Sequence, residues 1–267
     1  MYQERLLAFI DILGFSAAIN NTVQSIEGKK REIKDETQKI YCFFEEAQSL
    51  LDKKYPDRTK SENIRVVNHF SDSIVISYSM AEEAAIFSIL TEILFLCVTA
   101  LQKNFLLRGA VVCNKLYHED NIIFGPALVK ASDMEKKLAI YPRIVLNDDI
   151  LDIVDKHQSK WPSKTTQAQF KKNILTKDFD GLYYVNYVDG INFVINDKDG
   201  ILVYFKSLRT SIIKLERFIK EDMSIKSKYL WLKTKYNITL QKYKKKYCNA
   251  ESKSSELYEY LSKLESL

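Results

Sequence analysis

The chain has 267 residues, of which 46% are hydrophobic and 28% charged, with only seven glycines and four prolines. Such a composition builds a sizeable core and excludes an intrinsically disordered chain, a collagen-like repeat and a loop-rich β-sandwich. A net charge of +5 is too mild to define a nucleic-acid or membrane binder, though it is compatible with an anionic small ligand.

Residues 6–13 form an apolar run interrupted by one acid, Asp11, and ended by Gly14. A continuous apolar run bounded by glycine is the pattern of a buried central strand. A carboxylate in such a strand is costly unless it is paired, hydrogen-bonded or metal-bound, which makes Asp11 the first candidate site residue. A helix is expected from Phe15 to about 24, with Ser16 near its start. Residues 27–39 are highly charged and suit a solvated connection or helix face. Ile40, Phe43, Phe44, Ala47, Leu50 and Leu51 recur at helical spacing over 36–51, and Tyr55-Pro56-Asp57 stops that helix.

Two β-rich runs, 64–70 and 74–78, flank Ser71-Asp72-Ser73 and predict a hairpin. Residues 81–103 predict a long helix. Glu92 inside it and the charges flanking it favour a deeply buried helix over a membrane span. A strand over 106–116 leads to a polar turn at His118-Glu119-Asp120-Asn121, and 122–124 returns from it. Phe124-Gly125-Pro126-Ala127 opens a further helix, and 143–146 is the last strand of this part. His69 is expected to be structural, and His118 in its turn is not expected to bind a metal.

This order predicts an α+β fold with a ferredoxin-like βαββαβ core. In that topology the end of the first strand lies beside the start of the third, so Asp11 and Asp72 come together. Two neighbouring carboxylates suit a pair of divalent cations. In the plainer alternative Asp11 is a strand-end acid and Asp72 a hairpin residue. Gly14 lets the backbone approach phosphate oxygens, towards which the helix-start amides of Phe15 and Ser16 point.

Beyond about residue 147 the texture changes, which divides the chain into a core domain, 1–150, and a mostly helical extension packed on it, 151–267. A short strand is expected at Leu182-Tyr183-Tyr184-Val185 and long helices over 202–219 and 224–247. The tyrosine- and lysine-rich stretch 229–247 reads as a solvated helix face, with contact to nucleic acid or an acidic partner as the alternative. Cys42, Cys97, Cys113 and Cys248 show no close pair and no metal-ligand spacing. With no leader read ahead of Arg5, a reducing cytoplasm is expected.

Ile10-Asp11-Ile12-Leu13-Gly14-Phe15-Ser16 resembles the first metal motif of the class III nucleotidyl cyclases, and Phe70-Ser71-Asp72-Ser73 resembles the second. Leu107-Arg108-Gly109-Ala110-Val111-Val112 is similar to the strand after the family's second helix, and Phe124-Gly125-Pro126-Ala127 to its later Phe-Gly helix start. The four motifs follow the family's order over residues 5–146 and are most similar to the bacterial pyrimidine cyclases of the Pycsar antiphage system. The resemblance implies two Mg²⁺ or Mn²⁺ ions held by Asp11, Asp72 and the carbonyl of Ile12. It also implies a homodimer with active sites at the interface, conversion of CTP or UTP to a 3′,5′-cyclic mononucleotide plus pyrophosphate, and a role in antiphage signalling without membrane or nucleic-acid partners. Asn68 stands where purine cyclases carry a base-reading lysine, and Ile122 where they carry an acid. The Asn68 amide could pair with a pyrimidine edge, or be a plain strand residue. The family's charge-stabilising asparagine and arginine fall on Val129 and Asp133, leaving Arg108 or Arg143 to supply that charge, unless Arg108 is simply an exposed strand residue. The alternative function is a catalytically silent cyclase-like sensor that binds a nucleotide or a partner.

Overall fold

β1 (Gln3–Leu13) is apolar on both faces because both are covered, and it runs antiparallel to β3 (Ser73–Ser79) on one edge and β4 (Leu106–Glu119) on the other. The computed structural model describes residues 1–23, 30–51, 64–82, 84–156, 171–195, 197–219, 223–247 and 256–267. The predicted helix stop at 55–57 and Cys248 lie outside them. The sheet continues from β3 to β2 (Arg65–Phe70). On the other side β4 pairs in parallel with β6 (Ile144–Leu146), followed by β8 (Tyr183–Val185) and β7 (Leu175–Lys177). β5 (Ile122–Phe124) folds back on the end of β4.

The helices of the first half are α1 (Phe15–Val23), α2 (Lys30–Leu51), α3 (Ala85–Gln102), α4 (Pro126–Leu138) and α5 (Asp148–Lys156). The spatial order β2-β3-β1-β4 with α1 and α2 before the hairpin and α3 after it is the ferredoxin-like arrangement. The fold is α+β, with α6 (Lys198–Phe218), α7 (Met223–Tyr247) and α8 (Glu256–Lys263) following β8.

Strand periodicity divides the core in two. Leu6, Ala8, Ile10 and Ile12 face the larger cluster with α2 and α3, which also takes in buried residues of α6, α7 and α8. Leu7 faces the opposite side, where Val75, Ala110 and Val112 meet Ala127, Ala131 and Met134 of α4. Each fully buried Leu or Ile contributes about 2 kcal/mol, so the large cluster anchors the extension to the sheet. α3 is long and apolar enough to cross a membrane, yet 72% of it is buried inside the protein. Its acid is accounted for: Glu92 receives Arg65 Nε at 2.9 Å and the Tyr78 hydroxyl at 2.6 Å.

Three sequence expectations change. α2 starts at Lys30, well before residue 36, so part of the charged stretch is helix. β4 runs on to Glu119, which places His118 in a buried strand position; the turn is only Asp120-Asn121, with Asp120 at φ 47°. In α7, Tyr229, Trp231, Tyr236 and Tyr243 are buried, so its aromatic face is core and only the lysine face is solvated.

Gly109 lies opposite Ile10 in the β1–β4 ladder. A Cβ there would lie 2.2 Å from the Phe9 carbonyl oxygen and 3.2 Å from Ile144 Cδ1. Neither backbone can give way without breaking the ladder. Gly109→Ala is expected to lower unfolding free energy by about 3 kcal/mol, read as a lower midpoint in urea denaturation.

Candidate functional site

The antiparallel register of β1 and β3 sets Asp11 opposite Ser73, which places Asp72, in the preceding turn, beside the end of β1. The turn is clamped there by the Ile12 amide, which donates to the Asp72 carbonyl at 3.0 Å. Ser71 takes φ 54° to make the turn, and Gly14 takes φ 77° where β1 gives way to α1. The first turn of α1, with Phe15 and Ser16, follows immediately, and the Ala18 amide already donates to the Gly14 carbonyl at 3.1 Å.

Asp11 points to the α4 side of the sheet, and its direct neighbour across β4 is Arg108. Arg108 Nε lies 3.1 Å from Asp11 Oδ2, and its Nη2 lies 2.8 Å from Glu135 Oε1 on α4. Burial pushes the Asp11 carboxyl above its ordinary range, Arg108 draws it back, and the adjoining Asp72 carboxylate adds to the rise. Burial likewise pushes up Glu135, Arg108 pulls it down, and Asp11 pushes it up again. Two carboxylates, Asp11 and Glu135, therefore share the Arg108 guanidinium, with Asp72 adjoining Asp11.

That donor set fits a hard divalent cation: two carboxylates that raise one another are relieved by a positive ion between them. Among the described residues there is no group of three His, Cys, Asp or Glu side chains able to hold a metal by itself. Mg²⁺ is commonly held by one or two carboxylates, with substrate phosphates and water completing its shell.

Glu135 was legible in the sequence but missed. Ala127, Ala131 and Glu135 recur every four residues along α4, so they share the stripe that meets the sheet. An acid on a stripe of small residues signals a buried partner.

The other candidates fall elsewhere. Arg143 is fully buried and held by Asp178 and Asp180, so it cannot supply charge beside Asp11; Arg108 is the cation at the site. Val129 is 66% exposed, and Asp133 pairs with Lys137 at 3.1 Å. Both lie on the outer side of α4, where Tyr2, Phe124 and Lys130 help to line an open groove of about 770 Å³.

Asn68 is 4% exposed, and both ends of its amide are engaged within the protein. Arg5 Nε donates to Ser77 Oγ at 2.9 Å, and Ser77 Oγ lies 2.7 Å from His118 Nδ1. The arginine can only donate, so the Ser77 proton goes to Nδ1, and Nε2–H of His118 donates to the Asn68 carbonyl oxygen. Asn68 Nδ2 then donates to Asn121 Oδ1 at 3.3 Å. The β4–β5 turn thus covers the amide that sequence reasoning offers to a base. His69 packs edge-on against Phe44, with ring centroids 4.4 Å apart.

Burial, reinforced by the Arg5 charge, holds His118 neutral with its pKa lowered to about 4. An unfolded histidine titrates near 6.5, so between these values the unfolded chain binds more protons. Stability is then intact above about pH 6.5, falls as the pH drops towards about 4 by up to about 3 kcal/mol, and levels off below. Denaturation midpoints at pH 7 and pH 5 are expected to show this drop, and His118→Gln is expected to flatten it.

No protein-family model matches the chain, and no curated protein matches it. Among solved structures it is similar to the monomeric guanylyl cyclase domain of the RhoGC fusion protein from the aquatic fungus Blastocladiella emersonii. The two are 12% identical over 69% of this chain and 95% of that one, with a TM-score of 0.42. It is also similar to the catalytic core of a rhodopsin-guanylyl cyclase with converted specificity in complex with ATPαS, at 13% identity over 69% of this chain and 95% of that one, with a TM-score of 0.41.

Proposed function

We propose that the chain is a metal-dependent nucleotide cyclase that converts CTP or UTP to a 3′,5′-cyclic mononucleotide and pyrophosphate. The observation that carries this reading is the pairing of β1 with β3, which sets Asp72 beside Asp11 just ahead of the Gly14 turn. The cyclase-like order of the four sequence motifs supports it. Divalent cations held by Asp11, Asp72 and the Ile12 carbonyl would activate the ribose 3′-hydroxyl and offset triphosphate charge. The backbone at Gly14 and the amides of Phe15 and Ser16 bind phosphate oxygens at the start of α1. In the reaction the 3′-oxygen bonds to the α-phosphorus, the bond from that phosphorus to the β-phosphate bridging oxygen breaks, and pyrophosphate leaves with the electron pair. The hydroxyl proton passes to solvent.

The pyrimidine preference rests on the replacement of the lysine and the acid that read a purine, by Asn68 and Ile122, and not on a base contact from the covered Asn68 amide. A cytoplasmic homodimer in antiphage signalling completes the reading. Exposed Tyr2, Phe124 and Val129 on the outer side of α4 suit a second copy, whose presence light scattering would report. The direct test incubates the purified protein with each nucleoside triphosphate and Mn²⁺. A cyclic product with released pyrophosphate is expected from CTP or UTP, and a folded protein that turns over none of the four ends the enzyme reading.

The second reading, a catalytically silent sensor that binds a nucleotide or a partner, is favoured by one observation. Arg108 already engages Asp11, and neither Val129 nor Asp133 can stabilise developing negative charge. A silent binder keeps its metal-independent ligand affinity when Asp72 is replaced by asparagine.

A further inference from the structure

Resting on the cyclase reading, we propose that Arg108 and Glu135 form an ion-pair exchange device: a divalent cation arriving at Asp11 and Asp72 takes over Asp11, and Glu135 retains the released guanidinium beside the site to bind the substrate's phosphates. Glu135 is thus a positioning residue, and the ion that prepares the carboxylates also delivers the charge that positions 129 and 133 lack.

Three features of the geometry lead to this. The Arg108 fork is divided, Nε on Asp11 at 3.1 Å and Nη2 beside Glu135 at 2.8 Å, while Nη1 is engaged by no described residue. Second, the fork is aligned on only one of the two acids: Nε makes a hydrogen bond to Asp11, whereas buried Glu135 Oε1 lacks an aligned hydrogen bond despite the short ionic contact. A guanidinium freed from Asp11 can turn to satisfy that oxygen with Nη2 and leave Nη1 and Nε–H, on opposite edges of the group, as single charge-assisted donors to phosphate oxygens. Third, the charges are unequal. Asp11, Asp72 and Glu135 bring three negative charges against one from Arg108, with Lys136 acting on Glu135 from α4. A cation is favoured at Asp11 and Asp72, but it must first displace the arginine.

The two ends of the pair therefore act on metal affinity with opposite signs. Removing Arg108 frees Asp11, and Mn²⁺ binding to the nucleotide-free protein tightens by about tenfold. Neutralising Glu135 commits Arg108 to Asp11, and Mn²⁺ binding weakens. A residue that merely supported the fold would weaken binding at both positions.

Mn²⁺ is titrated into the full chain, followed by electron paramagnetic resonance, for wild type, Arg108→Ala and Glu135→Gln, alongside the affinity of the Mn²⁺-loaded proteins for inorganic triphosphate. The expected result is tighter Mn²⁺ but weaker triphosphate for Arg108→Ala, and weaker Mn²⁺ and weaker triphosphate for Glu135→Gln. Arg108→Met stands in if the alanine variant fails to fold. Unchanged or weaker Mn²⁺ binding in a folded Arg108 variant overturns the exchange, even if the wild type makes cyclic nucleotide. If the opposite signs appear but wild type turns over no nucleoside triphosphate, the exchange stands and the cyclase reading falls.

Discussion

On the proposed cyclase reading, Asp72→Asn is expected to reduce cyclic nucleotide formation by about a thousandfold, the rate equivalent of the several kcal/mol that cations would supply at such a site. Asp72 sits half-buried in the β2–β3 turn, and its carbonyl, which receives the Ile12 amide at 3.0 Å, is untouched by the change. Asparagine is equally at home in a turn, so the melting temperature should hold while product, quantified by mass spectrometry, disappears. Asp11→Asn is expected to match that loss in activity but to disturb more, because Arg108 Nε loses the charge of its cross-strand partner at 3.1 Å. Equal activity in Asp72→Asn and wild type would remove the carboxylate pair from the mechanism.

Arg143→Ala is expected to be the most destabilising single change, at about 4 kcal/mol in urea denaturation at pH 7. Arg143 and the side chain of Asp178 are both fully buried, and Asp180 closes the other arm of the fork. Trp231 Nε1 donates to Asp178 at 2.6 Å and Lys235 Nζ at 2.8 Å, so the cluster joins β6 to α7. Burial pushes the Asp178 carboxyl up, but Lys235, Trp231 and the Phe179 amide outweigh it and hold the group below its ordinary range. A depressed folded-state pKa stabilises above the unfolded value, about 4, and that contribution is lost as the pH falls through the folded value. The wild-type cluster therefore weakens only in strong acid.

Much of the molecule was legible locally. The apolar run through residues 6–13, the turn at Gly14, the 70–74 hairpin and the apolar stripe of α3 each follow from spacing. The placing of Asp11 beside Asp72 followed from a topological regularity, since a βαββαβ chain pairs its first strand with its third. Short-range periodicity also carried the signal of Glu135 at four-residue intervals from Ala127, although an acid on a buried stripe has no meaning until its partner is known.

Whether a charged or polar group is available to a ligand was decided only in three dimensions. Arg108 and Arg143 look alike in the chain. One faces Asp11 across a strand pair, while the other is enclosed by carboxylates 35 and 37 residues further on. Asn68 reads in the chain as an amide open to a pyrimidine edge, yet the three extra residues of β4 and the turn after them bring His118 and Asn121 onto that amide. Lysines and tyrosines mix evenly in α7, and only its packing sets aromatic rings inward. Periodicity reports which face of an element is buried because burial is a property of that element. The partner of a buried charge lies on a different element, at a distance set by the whole sheet. The acids at positions 11 and 72 were therefore determined by the sequence, and the arginine between Asp11 and Glu135 by the tertiary structure.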